Sequence, residues 1–195
     1  MARMSGADRR QQIVAAAIEV ILQRGLAQAA TRDVTRAIGV GSGLLHHYFP
    51  SWAELRAEAV RQAAWQEIDA VKAAIAGLPA RTAMQRLADW MIDDEDMRHW
   101  RLWLNAQDEA HRDPLLAEVM NAAMLAWRGL IAQLLREAGE ETGGGPADAD
   151  AAAWRLAALM DGLAGAMLVR DSVMTPQIAR NLIGMQLRLE CDSSA

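Results

Sequence analysis

The stretch "TRDVTRAIGVGSGLLHHYF", residues 31–49, decides the fold. Two short segments with helical apolar spacing lie on either side of a glycine-rich bend. Thr31 is placed to cap the first, whose Val34, Ala37 and Ile38 share a face and which Gly39 closes. The chain turns at "VGS" (40–42), Ser42 or Gly41 caps a second short helix that runs through Tyr48, and "FPS" (49–51) stops it, because proline disfavours helix in the residue before it. Ser51 and Glu54 then form a capping box for a longer helix to about Ala76.

Outward from this stretch the patterning is helical throughout. Upstream, Ile13, Ala17, Val20 and Ile21 recur at spacings of three and four between Ala7 and Arg24, and Gly25 follows as a helix stop. Downstream, "GLP" (77–79) ends the fourth helix and Pro114 opens another. The run "EETGGGPADAD" (140–150) reads as a flexible linker, and "MTP" (174–176) introduces a last helix with Ile178, Leu182, Met185 and Leu189 on a stripe. Alanine richness favours helix, and no strand pattern is convincing. The expected fold is all-α, about nine helices: an N-terminal helix-turn-helix domain over residues 1–52 and a larger helical domain over 53–195.

Two short helices joined by a tight turn and framed by longer ones form a helix-turn-helix, whose second short helix enters the major groove of double-stranded DNA. Val34, Ile38, Leu45 and Phe49 are expected to face inward, leaving Ser42, Gly43, Leu44, His46, His47 and Tyr48 for other surfaces. Hydroxyls and imidazoles reach phosphates or base edges, Leu44 suits a thymine methyl, Gly43 permits close approach, and Arg32 adds a cation.

Charge agrees with a localised contact. A net charge of −5 over 195 residues argues against nucleic-acid binding by the whole surface. Residues 1–60 nevertheless carry seven Arg against five acidic residues, so the basic character sits at the front. With 52% hydrophobic residues the chain can bury a core. The single cysteine, Cys191, can form no internal disulfide, which fits a cytoplasmic location. "MARMSGADRRQQ" has no apolar signal region, and the longest membrane candidate, "LAALMDGLAGAMLV" (156–169), is short and interrupted by Asp161, so no membrane partner is expected.

The segment "IVAAAIEVILQRGLAQAATRDVTRAIGVGSGLLHHYFPSWAEL" resembles the N-terminal domain of TetR-family transcriptional regulators: a first helix ending "RG", then "TR", "IGV", a small-residue turn, "YF" and "S..EL". The likeness covers about 45 residues. "WRLWLNAQDEAHRDPLL" and "LMDGLAGAML" resemble the BetI-type subgroup. The resemblance implies a homodimer that binds a palindromic operator, represses transcription, and lets go when a small-molecule effector occupies the larger domain. It places Thr31 and Arg32 at the DNA-contacting start of the second helix, and Ser42, Gly43, Leu44, His46, His47 and Tyr48 on the recognition helix. Two positions depart from the family pattern: Leu44 stands where Thr is usual, and Trp52 where a phosphate-contacting Lys is common. Affinity would then lean more on Arg32, Arg9 and Arg10, or simply be weaker.

Seven Trp against one Tyr and one Phe is unusual. Trp100 and Trp103 share a helical face with Leu104, which core packing explains. An effector cavity explains the same residues: Trp100, Trp103, Trp127 and Trp154 with a carboxylate such as Asp161 or Asp108 would suit a quaternary ammonium through cation–π attraction, while Met91, Met97, Met120, Met124, Met160 and Met167 would suit an apolar ligand equally. The small residues Ala157, Ala158, Gly162, Gly165 and Ala166 allow close helix approach, within the chain or across a homodimer formed by the C-terminal helices.

No metal is expected, since His46 and His47 point about 100° apart on a helix and Cys191, His99 and His111 lack ligand spacing. The run "DDEDM" (93–97) reads as a solvated helix start. There is no nucleophile–base pair, phosphate loop or cofactor motif, so no catalytic residue is assigned and the chain is not read as an enzyme. The competing reading is an all-α interaction or ligand-binding module without sequence-specific DNA binding.

Overall fold

A computed structural model describes residues 5–92 and 97–191. Among these residues the chain is all-α, with helices α1 (Gly6–Arg24), α2 (Thr31–Ile38), α3 (Ser42–Tyr48), α4 (Trp52–Ile75), α5 (Ala80–Ile92), α6 (Arg98–Ala110), α7 (Pro114–Thr142), α8 (Ala149–Met167) and α9 (Pro176–Cys191). The acidic residues 93–96 lie outside the described residues. Two compact units result: the chain up to Gln66 with Arg101–Ala123, and Glu67–Trp100 with Met124 onward.

In the first unit, α1 starts under a capping box in which the Ser5 hydroxyl accepts from the Asp8 amide at 3.1 Å and Asp8 accepts from the Ser5 amide at 3.2 Å. Its buried face, Ile13, Val14, Ala17, Val20 and Ile21, packs with Leu26, Val34, Leu45, Phe49, Leu55 and Val60. Residues distant in sequence complete this core: Leu102 and Ala106 from α6, and Leu116, Val119 and Met120 from α7. Trp52 packs partly buried against the same cluster.

At the α6–α7 corner Asp113 caps α7, one oxygen accepting from the amides of Leu115 (3.0 Å) and Leu116 (3.3 Å). Its other oxygen accepts from Arg56 of α4, whose second amino group lies 3.5 Å from Glu109. Burial pushes the Asp113 carboxyl up, but the Arg56 hydrogen bond and charge and the two amides outweigh it and hold it below the usual carboxylate value.

In the second unit α9 packs on α5 and α8 through Ala179, Ile183 and Leu187. Arg155 of α8 donates two parallel hydrogen bonds to Glu190 of α9, at 2.7 and 2.6 Å. The Arg155 guanidinium and the Gln186 amide hold the Glu190 carboxyl below its ordinary value against the opposing effect of burial. The expected linker shrinks to residues 143–148, because α7 runs on to Thr142 and Asp148 caps α8 by accepting from the Ala151 amide at 3.0 Å. Gly139 is required there: a Cβ on it would stand 2.4 Å from the carbonyl oxygen of Gly144.

By length and composition α7 is apolar enough to cross a membrane, more so than the expected 156–169 segment. Many of its apolar positions belong to protein cores: Leu116, Val119, Met120 and Ala123 in the first unit, and Leu130, Ile131, Leu134 and Leu135 in the second are buried, while Leu115 and Leu125 are exposed.

Candidate nucleic-acid interface

The two short helices form where the spacing predicts, with a different cap on α2. Thr31 is the first helical residue of α2, and the N-cap is Ala30, which has no side chain to offer. Asp33 compensates: its carboxylate accepts from the Ala30 amide at 3.2 Å. Buried Asp33 also lies 3.6 Å from both Arg24 and Arg36. Gly39 ends α2 in the left-handed conformation (φ 67°) that glycine adopts without strain. The Val40 amide then bonds back to the Thr35 carbonyl at 3.0 Å, closing the turn. Gly41 is the N-cap of α3.

Val34, Leu45 and Phe49 are buried and Ile38 is partly buried against the same core, as their spacing predicts. Ser42, Gly43, Leu44, His46 and His47 are exposed, and Tyr48 is half-buried with its ring edge-on to His47 at 5.2 Å. Thr31 is half-buried and Arg32 exposed, and the Arg32 side chain has no hydrogen-bond or ion-pair partner among the described residues. Arg36 is a cation that sequence reasoning passed over; its side chain is 75% exposed on the same short helix, so its pairing with Asp33 leaves it open to solvent.

The other two arginines expected to serve DNA are engaged within the protein. Arg9 donates to Gln12 at 2.6 Å. The Arg10 guanidinium stands 4.8 Å above the centre of the Phe49 ring and 3.2 Å from Glu58 of α4, whose other oxygen accepts from Arg61 at 2.7 Å. Nothing in the local sequence announces these contacts, which join α1, the end of α3 and α4.

The tryptophans expected at an effector site have separate surroundings. Trp100 is buried, and its indole N–H donates to the Met91 carbonyl at 2.7 Å. Trp103 packs against the core of the first unit. Trp127 of α7 is half-buried and lies 6.0 Å, ring centre to ring centre, from Trp90 of α5 in the second unit. Trp154 is exposed on α8, with the Arg128 guanidinium 5.6 Å from its ring centre. Asp161 is half-buried on the same helix. Among the described residues no group of three or more His, Cys, Asp or Glu side chains is arranged to hold a metal ion.

One face of the C-terminal helices stands out. On α9, Ile178, Leu182, Met185 and Leu189 are all exposed, while Ala179, Ile183 and Leu187 on the other side are buried. On α8, Trp154, Ala158 and Gly162 are exposed at helical spacing.

Comparison with known proteins gives this geometry its setting. Residues 13–59 match the bacterial regulatory proteins of the tetR family, and residues 79–191 match the BetI-type transcriptional repressor C-terminal domain. The HTH-type transcriptional regulator PksA of Bacillus subtilis is 32% identical over 165 residues, covering 80% of this chain and 77% of that protein. The HTH-type transcriptional regulator BetI of Escherichia coli K12 is 29% identical over 166 residues, 80% of each chain. Among solved structures, a transcriptional regulator from Saccharomonospora viridis in complex with choline superposes with a TM-score of 0.82 at 25% identity, covering 93% of this chain and 96% of that one. These relatives are transcriptional regulators.

Proposed function

Since the chain belongs to the TetR family of bacterial transcriptional regulators and carries a BetI-type C-terminal domain, we propose that it is a cytoplasmic repressor that binds a palindromic operator as a homodimer and releases it on binding a small cationic effector. The observation that carries this reading is the division of α3. Leu45 alone is fully buried, while Ser42, Gly43, Leu44, His46 and His47 are exposed on a short helix that follows the turn at Gly39. Such a helix presents base-reading groups at one face, with Tyr48, Thr31 and Arg32 beside it. Residues 1–52 would carry this contact, and residues 53–195 the effector and dimer functions.

The exposed apolar face of α8 and α9 supports the homodimer. Exposed large apolar side chains recurring at helical spacing mark an interface. Two recognition helices must also reach successive major grooves about 34–36 Å apart, which one chain cannot do. In this arrangement Trp154, beside Ala158 and Gly162, belongs to the rim between subunits. The effector would meet the indoles on α5 and α7 of the second unit, Trp90 and Trp127, with Trp100 and Asp161 of the same unit as further candidates. The choline bound by the Saccharomonospora viridis relative supports a quaternary ammonium, which indole faces attract.

A ligand releases DNA only through its preference for the conformer that binds DNA poorly, and a tenfold loss of operator affinity takes about 1.4 kcal/mol of that preference. The test compares choline with 3,3-dimethyl-1-butanol, which has the same shape without the charge, at matched ionic strength on protein bound to its upstream intergenic DNA. Release by choline alone supports a cationic effector. Equal release by both points to an apolar pocket, and release by neither sets aside the small quaternary ammonium.

A further inference from the structure

Two residues of α1, one helical turn apart, meet Tyr48, the last residue of the recognition helix, and Phe49, its C-cap. Gly6 lies beside the Tyr48 hydroxyl, close enough that a Cβ at Gly6 would stand 3.9 Å from that oxygen. Arg10 covers the ring of Phe49, the residue that ends α3, at 4.8 Å. Phe49 is 3% exposed and its amide bonds to the Leu45 carbonyl at 2.9 Å, so the ring is both core and helix terminus. Glu58 of α4 accepts from the guanidinium at 3.2 Å and is itself held by Arg61 at 2.7 Å.

We propose that Arg10 is a positioning residue for operator recognition, which fixes the tilt of α3 through Phe49 and Glu58 instead of neutralising a DNA phosphate. The Arg10 guanidinium is stacked on an aromatic face and paired with a carboxylate, so its planar face and its charge already have partners within the protein, although the side chain is 47% exposed. Its effect on DNA is therefore geometric. Hydrogen bonds to base edges fail with small displacements, whereas non-specific attraction to the phosphate backbone depends on charge and tolerates them. Loss of Arg10 should thus cost discrimination between sequences and leave the salt dependence of binding intact. The inference rests on α3 being the DNA-reading helix.

The experiment uses the full-length protein and two duplexes: one selected by the wild type from a random library, and a scrambled version of it. Affinities are measured by fluorescence anisotropy across a salt series for wild type, Arg10→Met, Arg10→Lys, Phe49→Leu and the Arg10→Met/Phe49→Leu double variant. The ratio of the two affinities is insensitive to any unfolded fraction, because unfolded protein lowers both equally. Arg10→Met is expected to cut that ratio about tenfold or more with the scrambled-duplex affinity and salt slope unchanged. Arg10→Lys, which keeps a cation over the ring and beside Glu58, should stay within about threefold of wild type. The double variant should lose little beyond Phe49→Leu, since the two residues act through one contact. A salt slope smaller by about 0.9, with both duplexes weakened alike, would make Arg10 a phosphate contact and overturn the proposal; so would an unchanged ratio. Failure of the wild type to select any preferred duplex would instead remove the DNA-reading role of α3.

Discussion

Replacing Asp113 by alanine removes two kinds of interaction at once. The carboxylate caps α7 through the Leu115 and Leu116 amides and holds Arg56 of α4, a side chain only 15% exposed. Loss of a helix cap costs about 1 kcal/mol. Loss of a hydrogen bond to a charged group costs about 1.5–3 kcal/mol. Among the described residues the Arg56 Nε already lacks a partner, and Glu109 at 3.5 Å is left as the remaining acceptor for the charge. Asp113→Ala should therefore destabilise the protein by about 3 kcal/mol, or about 6–12 °C in the thermal transition at roughly 2–4 °C per kcal/mol. Asp113→Asn keeps a capping oxygen and should recover about the cap's share. The pH dependence separates charge from packing. Because the folded pKa of Asp113 lies below its unfolded value near about 3.9, the carboxylate contributes stability above that pH and loses it as the pH falls through the folded pKa. Asn takes up no proton, so the gap between wild type and Asp113→Asn should narrow below about pH 4. Differential scanning calorimetry or urea denaturation at pH 7 and pH 3.5 measures both. A loss under about 0.5 kcal/mol for Asp113→Ala, or a gap independent of pH, would refute this reasoning.

Three further outcomes are expected. Arg32→Ala, which removes an exposed side chain without a partner among the described residues, should leave the thermal transition unmoved and lower the salt slope of operator binding by about 0.9, as read by anisotropy; an unchanged slope would take Arg32 out of the interface. Met185→Glu with Leu189→Glu, at positions 53% and 63% exposed, should leave the fold intact and convert the dimer to monomers in sedimentation equilibrium, whereas a persistent dimer would place the interface elsewhere. Gly139→Ala should destabilise by about 1–3 kcal/mol, because its Cβ would meet the Gly144 backbone oxygen at 2.4 Å; chemical denaturation that finds no loss would show that the 143–148 loop yields freely.

Sequence reading succeeded where structure is made by neighbours along the chain. Glycine at 39, proline at 50 and the Ser51–Glu54 box act within a turn or two of themselves, so the helix-turn-helix and its buried Val34, Leu45 and Phe49 could be read from spacing alone. The cap of α2 was misplaced by one residue because Asp33 caps it from within the first turn, which makes Thr31 look like the better candidate. Contacts between distant segments left no local signal. Residues 101–123 close the core of the first unit, and Arg10 meets Phe49 and Glu58, only once the chain has folded. The tryptophans make the same point. Identical side chains at similar helical spacing became a buried donor at Trp100, a ring pair at Trp127 and an exposed surface residue at Trp154. On α9 the sequence offers two apolar faces, Ile178–Leu182–Met185–Leu189 and Ala179–Ile183–Leu187, and periodicity cannot say that only the second is buried.

The most direct test of the account is binding of the purified protein to the intergenic DNA upstream of its own gene, followed by anisotropy across a salt series beside a scrambled duplex. The account predicts tight, salt-sensitive and sequence-preferring binding with two chains, or a multiple of two, on each site. Weak binding of equal strength to both duplexes, at every salt concentration, would contradict it.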